Sequence, residues 1–395
     1  MLFLIVCCVV LIIGIICFSL GHDSNFPPGP RGLPILGNIV DLLILLKKTG
    51  FFAGVFSELA EIYGPIVGLR LGPMNTFIVV SGREAVSEML RHREFDGRPD
   101  SFSYRFRTMG ERRGIIFNDG RVCENNRRFA LKHLKELGFG KKTMEDIILE
   151  NALSLIQTIE KKAKDGLIED FTHMSSIAIL NNTWSFIAGS KFSEEDSKVR
   201  DVLEMLNNNT KQSSLTWFCL DYLPFLRYII PGYSGYSEFI ERHSRIWIYF
   251  LDEILKHKIT RIDGVSRDLI DSYLGEIDKQ KNEYTSLLNE EELVALMKDF
   301  FAAGVETTNN SFGFIILYIT IRKDVQKKLH QEIDEVIGKD SLPSLVFKGK
   351  LSYTNATIAE VLRMRIWPVF TWMRNIGEIL KYFDLKDLSM KRENL

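Results

Sequence analysis

The stretch 289–322 constrains the fold of this chain more than any other sequence feature. It begins with Asn289 and three glutamates, which suit the positive end of a helix dipole, and continues largely apolar without a proline. This pattern predicts one long central helix. Near its middle, residues 302–308 place a glycine, an acid and two β-branched alcohols among good helix formers, although such residues weaken a helix interior.

Two interpretations of residues 302–308 stay open at this point. A glycine lets a flat ligand approach the backbone or lets the helix open locally, and a threonine can bond to a carbonyl one turn earlier and bend the helix. An acid followed by a hydroxyl can also relay protons. The alternative is a kinked core helix whose small residues allow close packing.

Composition excludes several classes of protein. The 395-residue chain is 46% hydrophobic, which is enough to bury the core of one large domain or two smaller ones. Its 50 basic and 51 acidic residues balance, so no overall field favours nucleic acid. The cysteines show no zinc or disulfide pattern and indicate a reducing compartment; they are Cys7, Cys8, Cys17, Cys123 and Cys219.

The N-terminus is predicted to anchor the chain in a membrane. Residues 1–20 are apolar and uncharged, and their number is about what a helix needs to cross a bilayer. A cleaved signal peptide is the alternative, but the basic leading region of such peptides is missing. Basic residues follow the span and none precedes it, which places the body in the cytosol. Residues 22–38 carry four prolines and predict a stiff hinge.

The rest of the chain predicts many helices and few strands. Strands are expected at 66–71 and 76–80, around a turn. Residues 95–120 are irregular enough to line a pocket, and the polar residues 264–284 are expected to be exposed. Helices are expected at 52–63, 83–92, 121–137, 145–164, 174–187, 193–211, 238–258, 324–337 and 351–367. The prediction is a mainly α fold with a small N-terminal β-sheet.

Three further features have open interpretations. Residues 127–142 are strongly basic, which suits either a solvated face or a site for carboxylates or an acidic partner. Residues 222–236 are an aromatic turn region, either a core loop or a surface that dips into lipid. Glu360 and Arg363 are spaced to meet on one helix face. Exposed, such a pair adds little stability; buried, it needs further partners to repay desolvation.

Taken in order, the motifs resemble those of the microsomal, membrane-anchored branch of the cytochrome P450 family, the haem-thiolate monooxygenases. The resemblance runs from residue 1 to about residue 370. Each motif alone is weak, but their order and separation are specific; they are PPGPRGLPILGN, FDGRPD, RRFALKHLKELGFGKK, AGVETT and EVLR. The resemblance implies a membrane anchor at 1–21, a hinge at 22–38 and a cytochrome P450 fold at 39–373.

The resemblance also implies roles for residues of the central helix and of the basic region. The central helix would cross a haem, with Ala303 and Gly304 facing the porphyrin on the oxygen side. Glu306 and Thr307 would deliver protons to bound dioxygen. Arg127 matches the basic residue that pairs with a haem propionate.

The implied partners and reaction follow from the same resemblance. Glu360 and Arg363 match a buried ion pair that supports the haem-binding loop, and the basic residues 132–142 would dock an NADPH-cytochrome reductase. The implied reaction inserts one atom of dioxygen into an apolar small-molecule substrate. The implied location is the endoplasmic reticulum membrane, with the body on the cytosolic side.

The sequence departs from the family pattern at two places. Cys123 stands where the family has a tryptophan whose ring nitrogen also reaches the haem. No cysteine follows Cys219, so the axial metal ligand is expected to be absent, with a domain incomplete at its C-terminus and a divergent charged tail at 374–395. Without a thiolate, cleavage of bound oxygen is not expected. Three hypotheses remain: a monooxygenase, a non-catalytic truncated fragment, and a membrane-tethered protein that binds the reductase.

Overall fold

The computed structural model describes residues 26–33, 36–72, 75–164, 171–193, 220–222, 226–262, 264–280 and 287–365, with residues 9, 196, 199, 201 and 203. The predicted anchor lies outside these residues except for residue 9, as do Cys219, the predicted charged tail and most of the helix predicted at 193–211. Among the described residues, none of the helices combines the length and the apolar character needed to cross a bilayer.

The mainly α fold with a small N-terminal sheet is confirmed. The described helices are α1 (Ile39–Thr49), α2 (Phe52–Tyr63), α3 (Arg83–Met89), α4 (Phe102–Phe106), α5 (Gly120–Glu136), α6 (Lys142–Lys164), α7 (Phe171–Ile187), α8 (Leu226–Ile229), α9 (Tyr236–Thr260), α10 (Leu269–Lys279), α11 (Glu290–Ile321), α12 (Lys323–Val336) and α13 (Ser352–Arg365). Short 3₁₀ helices lie at Arg93–Phe95 and Leu345–Lys350, and the strands are β1 (Ile66–Leu71) and β2 (Asn75–Val80).

The chain divides into two compact units, Met1–Ser103 with Gln212–Glu238, and Tyr104–Lys211 with Phe239–Leu395. The first unit is built on an antiparallel pair, β1 and β2, in the register Ile66↔Val80 to Leu71↔Asn75. Alternate residues of β1 face a small apolar core, which they share with α1 and α2; its buried members are Ile39, Leu42, Val55, Leu59, Val67, Leu69, Leu71 and Val79.

The described part of the proline-rich segment packs against β1. The Gly68 amide donates to the carbonyl of Pro28 at 2.9 Å, and a Cβ at Gly29 would lie 1.9 Å from the Gly68 oxygen. Asn38 donates to the Pro30 carbonyl at 2.9 Å and accepts from the Arg70 amide at 2.8 Å. The prolines have no amide donors, so they contribute only carbonyl acceptors. The donors come from the Gly68 amide and the Asn38 side chain.

The second unit is organised around α11, which the sequence predicted within one residue at each end. The Asn289 side chain caps the helix by accepting from the Glu292 amide at 2.8 Å. Every residue from 292 to 299 is buried, so this segment of α11 is enclosed on all sides. Beyond it, the rings of Trp184, Phe250 and Phe301 pack together, with centroids 5.5 to 6.1 Å apart.

The prediction that residues 264–284 are exposed is wrong for the part that forms α10. Residues Leu269 to Leu274 are buried, including Asp271 and Ser272. Their polarity is satisfied inside the protein, because Asp268 accepts from the Asp271 amide at 2.8 Å and Asp271 binds Arg267 at 2.5 Å. The polar composition of this segment therefore reflects buried capping and ion pairing rather than contact with water.

Candidate functional site

The surface of α11 changes character after the buried Phe301. Ala303 and Thr307 are exposed, Glu306 is half-buried, and the helix stays continuous through the segment. The Thr307 hydroxyl donates to the Ala303 carbonyl at 2.7 Å, and the Ser311 hydroxyl donates to the Thr307 carbonyl at 2.8 Å. These are the bonds to the preceding turn that the sequence suggested for a threonine here. They bring Ala303 and Thr307 together on one exposed strip.

The neighbouring side of the same segment packs against α7. A Cβ at Gly304 would lie 3.1 Å from the Thr183 hydroxyl, so the glycine permits a close helix crossing. One turn further on, the buried Asn309 accepts from Ser175 at 2.6 Å and donates to Ser176 at 2.8 Å. Gly304 thus serves close packing, as the second interpretation predicted, while Ala303 and Thr307 are exposed.

Arg127 lies on α5 with its side chain exposed, and it makes no ion pair with any residue that the structure describes. The next residue toward the N-terminus fixes the helix. Asn126 is buried, donates to Glu292 of α11 at 2.7 Å and accepts from the Tyr273 hydroxyl of α10 at 2.9 Å. Burial raises the pKa of Glu292. The position of Arg127 is thus tied by its neighbour to the start of α11.

Cys123 precedes Arg127 by one helical turn. Its side chain is half-buried, is not disulfide-bonded, and donates to the carbonyl of Ile115 at 3.5 Å. The amides of Ile115 and Ile116 donate in turn to Asp299 at 2.7 and 3.0 Å. Cys123 therefore belongs to the contacts that hold residues 114–116 against α11.

A buried polar cluster lies one turn before Ala303, and the sequence analysis missed it. Arg107 Nη1 and Asp299 Oδ1 are 2.8 Å apart, with side chains only 6% and 4% exposed. Lys298 donates to the Arg107 carbonyl at 2.6 Å and to His243 Nδ1 at 3.0 Å. Burial, and then the nearby Lys298, lower the pKa of His243, while burial and Arg107 lower the pKa of Lys298. The signal was present, because two charged residues interrupt an apolar run.

Glu360 and Arg363 form the ion pair that their spacing allows, but it is not buried. Two bonds of 2.7 Å join the guanidinium to the carboxylate, and the side chains of Arg363 and Glu360 are 70% and 54% exposed. The hydrogen bonds from Arg363 lower the pKa of Glu360. The neighbouring Val361 is the buried residue of this turn and packs with Phe314 of α11, so the helix face carrying the pair points away from that core.

Comparison with known proteins gives these residues a context. The sequence profile of the family described as Cytochrome P450 matches residues 27–380. This chain belongs to the cytochrome P450 family. Farnesoate epoxidase from Bombyx mori is 33% identical over 365 residues, which cover 92% of this chain and 72% of that protein.

Further relatives come from insects and mammals. Probable cytochrome P450 303a1 from Drosophila melanogaster is 32% identical over 357 residues, covering 88% of this chain and 70% of that protein. Cytochrome P450 2C55 from Mus musculus is 32% identical over 345 residues, covering 86% and 68%. The family to which they belong consists of haem monooxygenases, so the resemblance read from the motifs is confirmed.

The residues present fit a haem on two sides. The exposed strip at Ala303 and Thr307 leaves a flat ring room against α11, and the Arg127 guanidinium has no carboxylate partner among the described residues. The side of the axial ligand is different. Residues 220–395 contain no cysteine, and the Cys123 thiol is engaged with the Ile115 carbonyl on α5. The described residues thus offer contacts to the ring and propionates but no placed thiolate for the iron.

Proposed function

We propose that this cytochrome P450 chain carries the oxygen-side and propionate-side residues of a monooxygenase that acts on an apolar substrate. The observation that supports this most is the pairing of Ala303 and Thr307 on the exposed strip of α11, shortly after the segment 292–299 that is buried on every side. A bound haem supplies the iron centre at which dioxygen is reduced and one oxygen atom is transferred.

Thr307 and Glu306 are proposed as the residues that handle protons. The Thr307 hydroxyl donates its own proton to the Ala303 carbonyl, which orients its oxygen as an acceptor that can hold a water molecule beside the strip. Glu306 is half-buried in the preceding position, so its carboxyl can exchange protons with such a water molecule. Neither side chain is consumed by this role.

Ala303, Gly304 and Arg127 are proposed as the residues that bind the cofactor. The methyl group of Ala303 is small enough for a flat ring to approach α11, and Gly304 adds no side chain beside it. The Arg127 guanidinium can form two parallel charge-assisted bonds with a propionate. No residue of this set is proposed as an iron ligand.

Electrons are proposed to come from NADPH through a cytochrome reductase that docks on the basic end of α5. Lys132, Lys135 and Lys141 are exposed there and make no ion pair with any described residue. An acidic partner surface would be attracted to them, and the attraction would weaken as salt is added. The proposed location is the endoplasmic reticulum membrane, with this face in the cytosol.

The proposal is tested by expressing the 395-residue chain with a haem supply and measuring haem content. Arg127→Gln should lower the haem retained per polypeptide, whereas the matched change Arg128→Gln should not. Equal retention in the two variants would contradict the role of Arg127. Because Bombyx mori farnesoate epoxidase is a relative, farnesoate is the first apolar substrate to assay with added reductase.

A second candidate is that a polypeptide of this sequence is non-catalytic by itself, which the lack of cysteine in residues 220–395 favours. The reduced protein with carbon monoxide distinguishes the two. The Soret band typical of thiolate-ligated haem would refute the non-catalytic candidate, and Cys123→Ser would then show whether Cys123 supplies the thiolate. If haem is absent but reductase is still captured through the lysines of α5, the chain acts as a reductase-binding protein.

A further inference from the structure

A second polar site lies on the side of α5 that is turned toward α10. Cationic residues recur there at intervals of four and seven, which places their side chains on one face of the helix. Together with parts of α10 and the residues just before α11, this face lines an open cavity of about 400 Å³, a size that suits a small ligand. The residues used below are Arg121, Arg128, Phe129, Lys132, His133 and Glu276.

Three of these residues are cations without a partner in the described part of the chain. Arg121, Arg128 and Lys132 are exposed and make no hydrogen bond or ion pair with any described residue. Arg128 and Lys132 are also four residues apart, a spacing at which like charges destabilise a helix. Arg128 and Lys132 therefore repel each other, and a bound anion would reduce that repulsion.

The acid of the cavity is engaged with α10 itself. Glu276 accepts from Gln280 at 2.9 Å and from Lys279 at 3.4 Å, and these hydrogen bonds lower its pKa. Glu276 is thus bound mainly by side chains of its own helix. Counting three cations and one carboxylate, the lining has a net charge of about +2 at neutral pH.

The floor of the cavity is aromatic. The Phe129 ring lies 4.1 Å from the His133 ring and 4.8 Å, edge-on, from the Tyr273 ring, measured between centroids. His133 Nδ1 is 3.2 Å from Glu136, and burial lowers the pKa of His133, so its ring is mostly neutral at pH 7. Phe129 and His133 therefore offer an apolar surface and a neutral imidazole beside the cations of α5.

We propose that this cavity binds a phosphate monoester in its dianionic form, with an aromatic or apolar group attached to the phosphate. The net charge of the lining is opposite and about equal to that of the dianion. Hydrogen-bond donors for its three oxygens come from Arg121, Arg128 and Lys132. Phe129 supplies the surface for the attached group. The ligand is either a soluble phosphorylated molecule or a lipid headgroup. Arg127 and the α11 strip do not line the cavity, so phosphate binding here is tested apart from haem binding. Lys132 is shared with the proposed reductase-docking face.

The test is isothermal titration of the full chain with phenyl phosphate at low salt and pH 7.5, where the monoester is a dianion. One molecule should bind per chain, more tightly than inorganic phosphate because of the aromatic floor. Arg128→Gln combined with Lys132→Gln should weaken binding by about tenfold or more, since hydrogen bonds to charged groups are lost. Lys135→Gln is the matched control, because it removes a cation of the same helix outside the cavity and should leave binding unchanged.

Vesicle sedimentation separates the two sources of the phosphate. Pure phosphatidylcholine vesicles give the binding due to the predicted anchor at 1–21. Additional binding when the vesicles contain phosphatidic acid, lost in the double variant and kept in Lys135→Gln, identifies a lipid headgroup. Phenyl phosphate binding without this vesicle binding identifies a soluble ligand. The proposal is overturned if phenyl phosphate does not bind, or if Lys135→Gln weakens binding as much as the double variant while circular dichroism shows all variants folded, because the attraction would then be diffuse surface charge.

Discussion

Removing the carboxylate of Asp299 should destabilise the second unit more than any change to the family's Glu360–Arg363 pair. Asp299 is 3% exposed, accepts from the amides of Ile115 and Ile116 at 2.7 and 3.0 Å, and lies 2.8 Å from Arg107. Asp299→Ala leaves the Arg107 charge buried without its partner and leaves two backbone amides without an acceptor.

The expected size of the effect follows from these losses. Breaking a buried ion pair from one side costs about 3–5 kcal/mol, and a buried donor without an acceptor costs about 1–3 kcal/mol. Neighbouring groups are not additive, so we expect about 5 kcal/mol for Asp299→Ala, a large part of the ~5–15 kcal/mol that stabilises a typical domain. Adding Arg107→Met removes the unpartnered charge and should recover about half of the loss, because the two amides stay without an acceptor.

Urea unfolding measured by tryptophan fluorescence is a suitable assay, because Trp184 and Trp247 are 1% and 7% exposed in the core of the second unit. Glu360→Gln is the control, since that pair is exposed and its loss should leave the midpoint nearly unchanged. If Asp299→Ala shifts the midpoint no more than Glu360→Gln does, the buried pair does not hold residues 107–116 on α11 as we argue.

Three further predictions concern pH, packing and topology. Burial alone lowers the pKa of His257, but its hydrogen bond to Asp268 raises that pKa above the ordinary 6.5. The protonated His257 therefore contributes its full stabilisation below pH 6.5 and loses it as the pH rises through the folded-state pKa. His257→Gln should therefore reduce the fall in melting temperature as the pH rises through that value. Gly313→Ala should raise the free energy of unfolding by about 0.8 kcal/mol, since nothing lies within 4 Å of the new Cβ. Gly304→Ala should raise it less, because its Cβ meets a threonine of α7 at 3.1 Å. A larger increase at Gly304 in thermal unfolding would contradict the close helix crossing. Asn355 begins an N-x-S/T sequon and is exposed. If the body of the protein lies in the cytosol, endoglycosidase treatment should not change its electrophoretic mobility. A mobility change that Asn355→Gln abolishes would refute that orientation.

The parts of the fold that the sequence predicted are those determined by local signals. The ends of α11 follow from the Asn289 cap, the acidic first turn and the lack of proline, and the two strands follow from β-branched residues around a turn. The exposure of α10 was predicted wrongly because polar residues were expected to face water, although local capping, an i,i+4 ion pair and a partner on another helix satisfy them in the interior. Asp268, for example, is bonded to His257 on the preceding helix.

The same distinction applies to the candidate site. The motif at 303–308 predicted that a threonine bonds to the preceding turn, because that contact spans four residues of one helix. The cluster around Lys298 and Asp299 joins α11 to Arg107, 191 residues away, and only the folded chain brings these groups together. Charged residues inside an apolar helical run indicate that such a cluster exists, but they do not identify its members.

The buried polar contacts also explain how the two halves of the proposed haem site keep their relative position. Arg127 and Cys123 are on α5, whereas Ala303 and Thr307 are on α11. Apolar side chains alone would allow these helices to slide, because dispersion contacts are not directional. Hydrogen bonds fix the register instead, since Asn126 binds Glu292 at 2.7 Å and the backbone at 114–116 binds Glu292 and Asp299 at 2.7 to 3.1 Å. The buried segment 292–299 of α11 is therefore what positions the arginine of α5 relative to the exposed strip that follows on the same helix. This explains why buried acids occur within an apolar part of the helix.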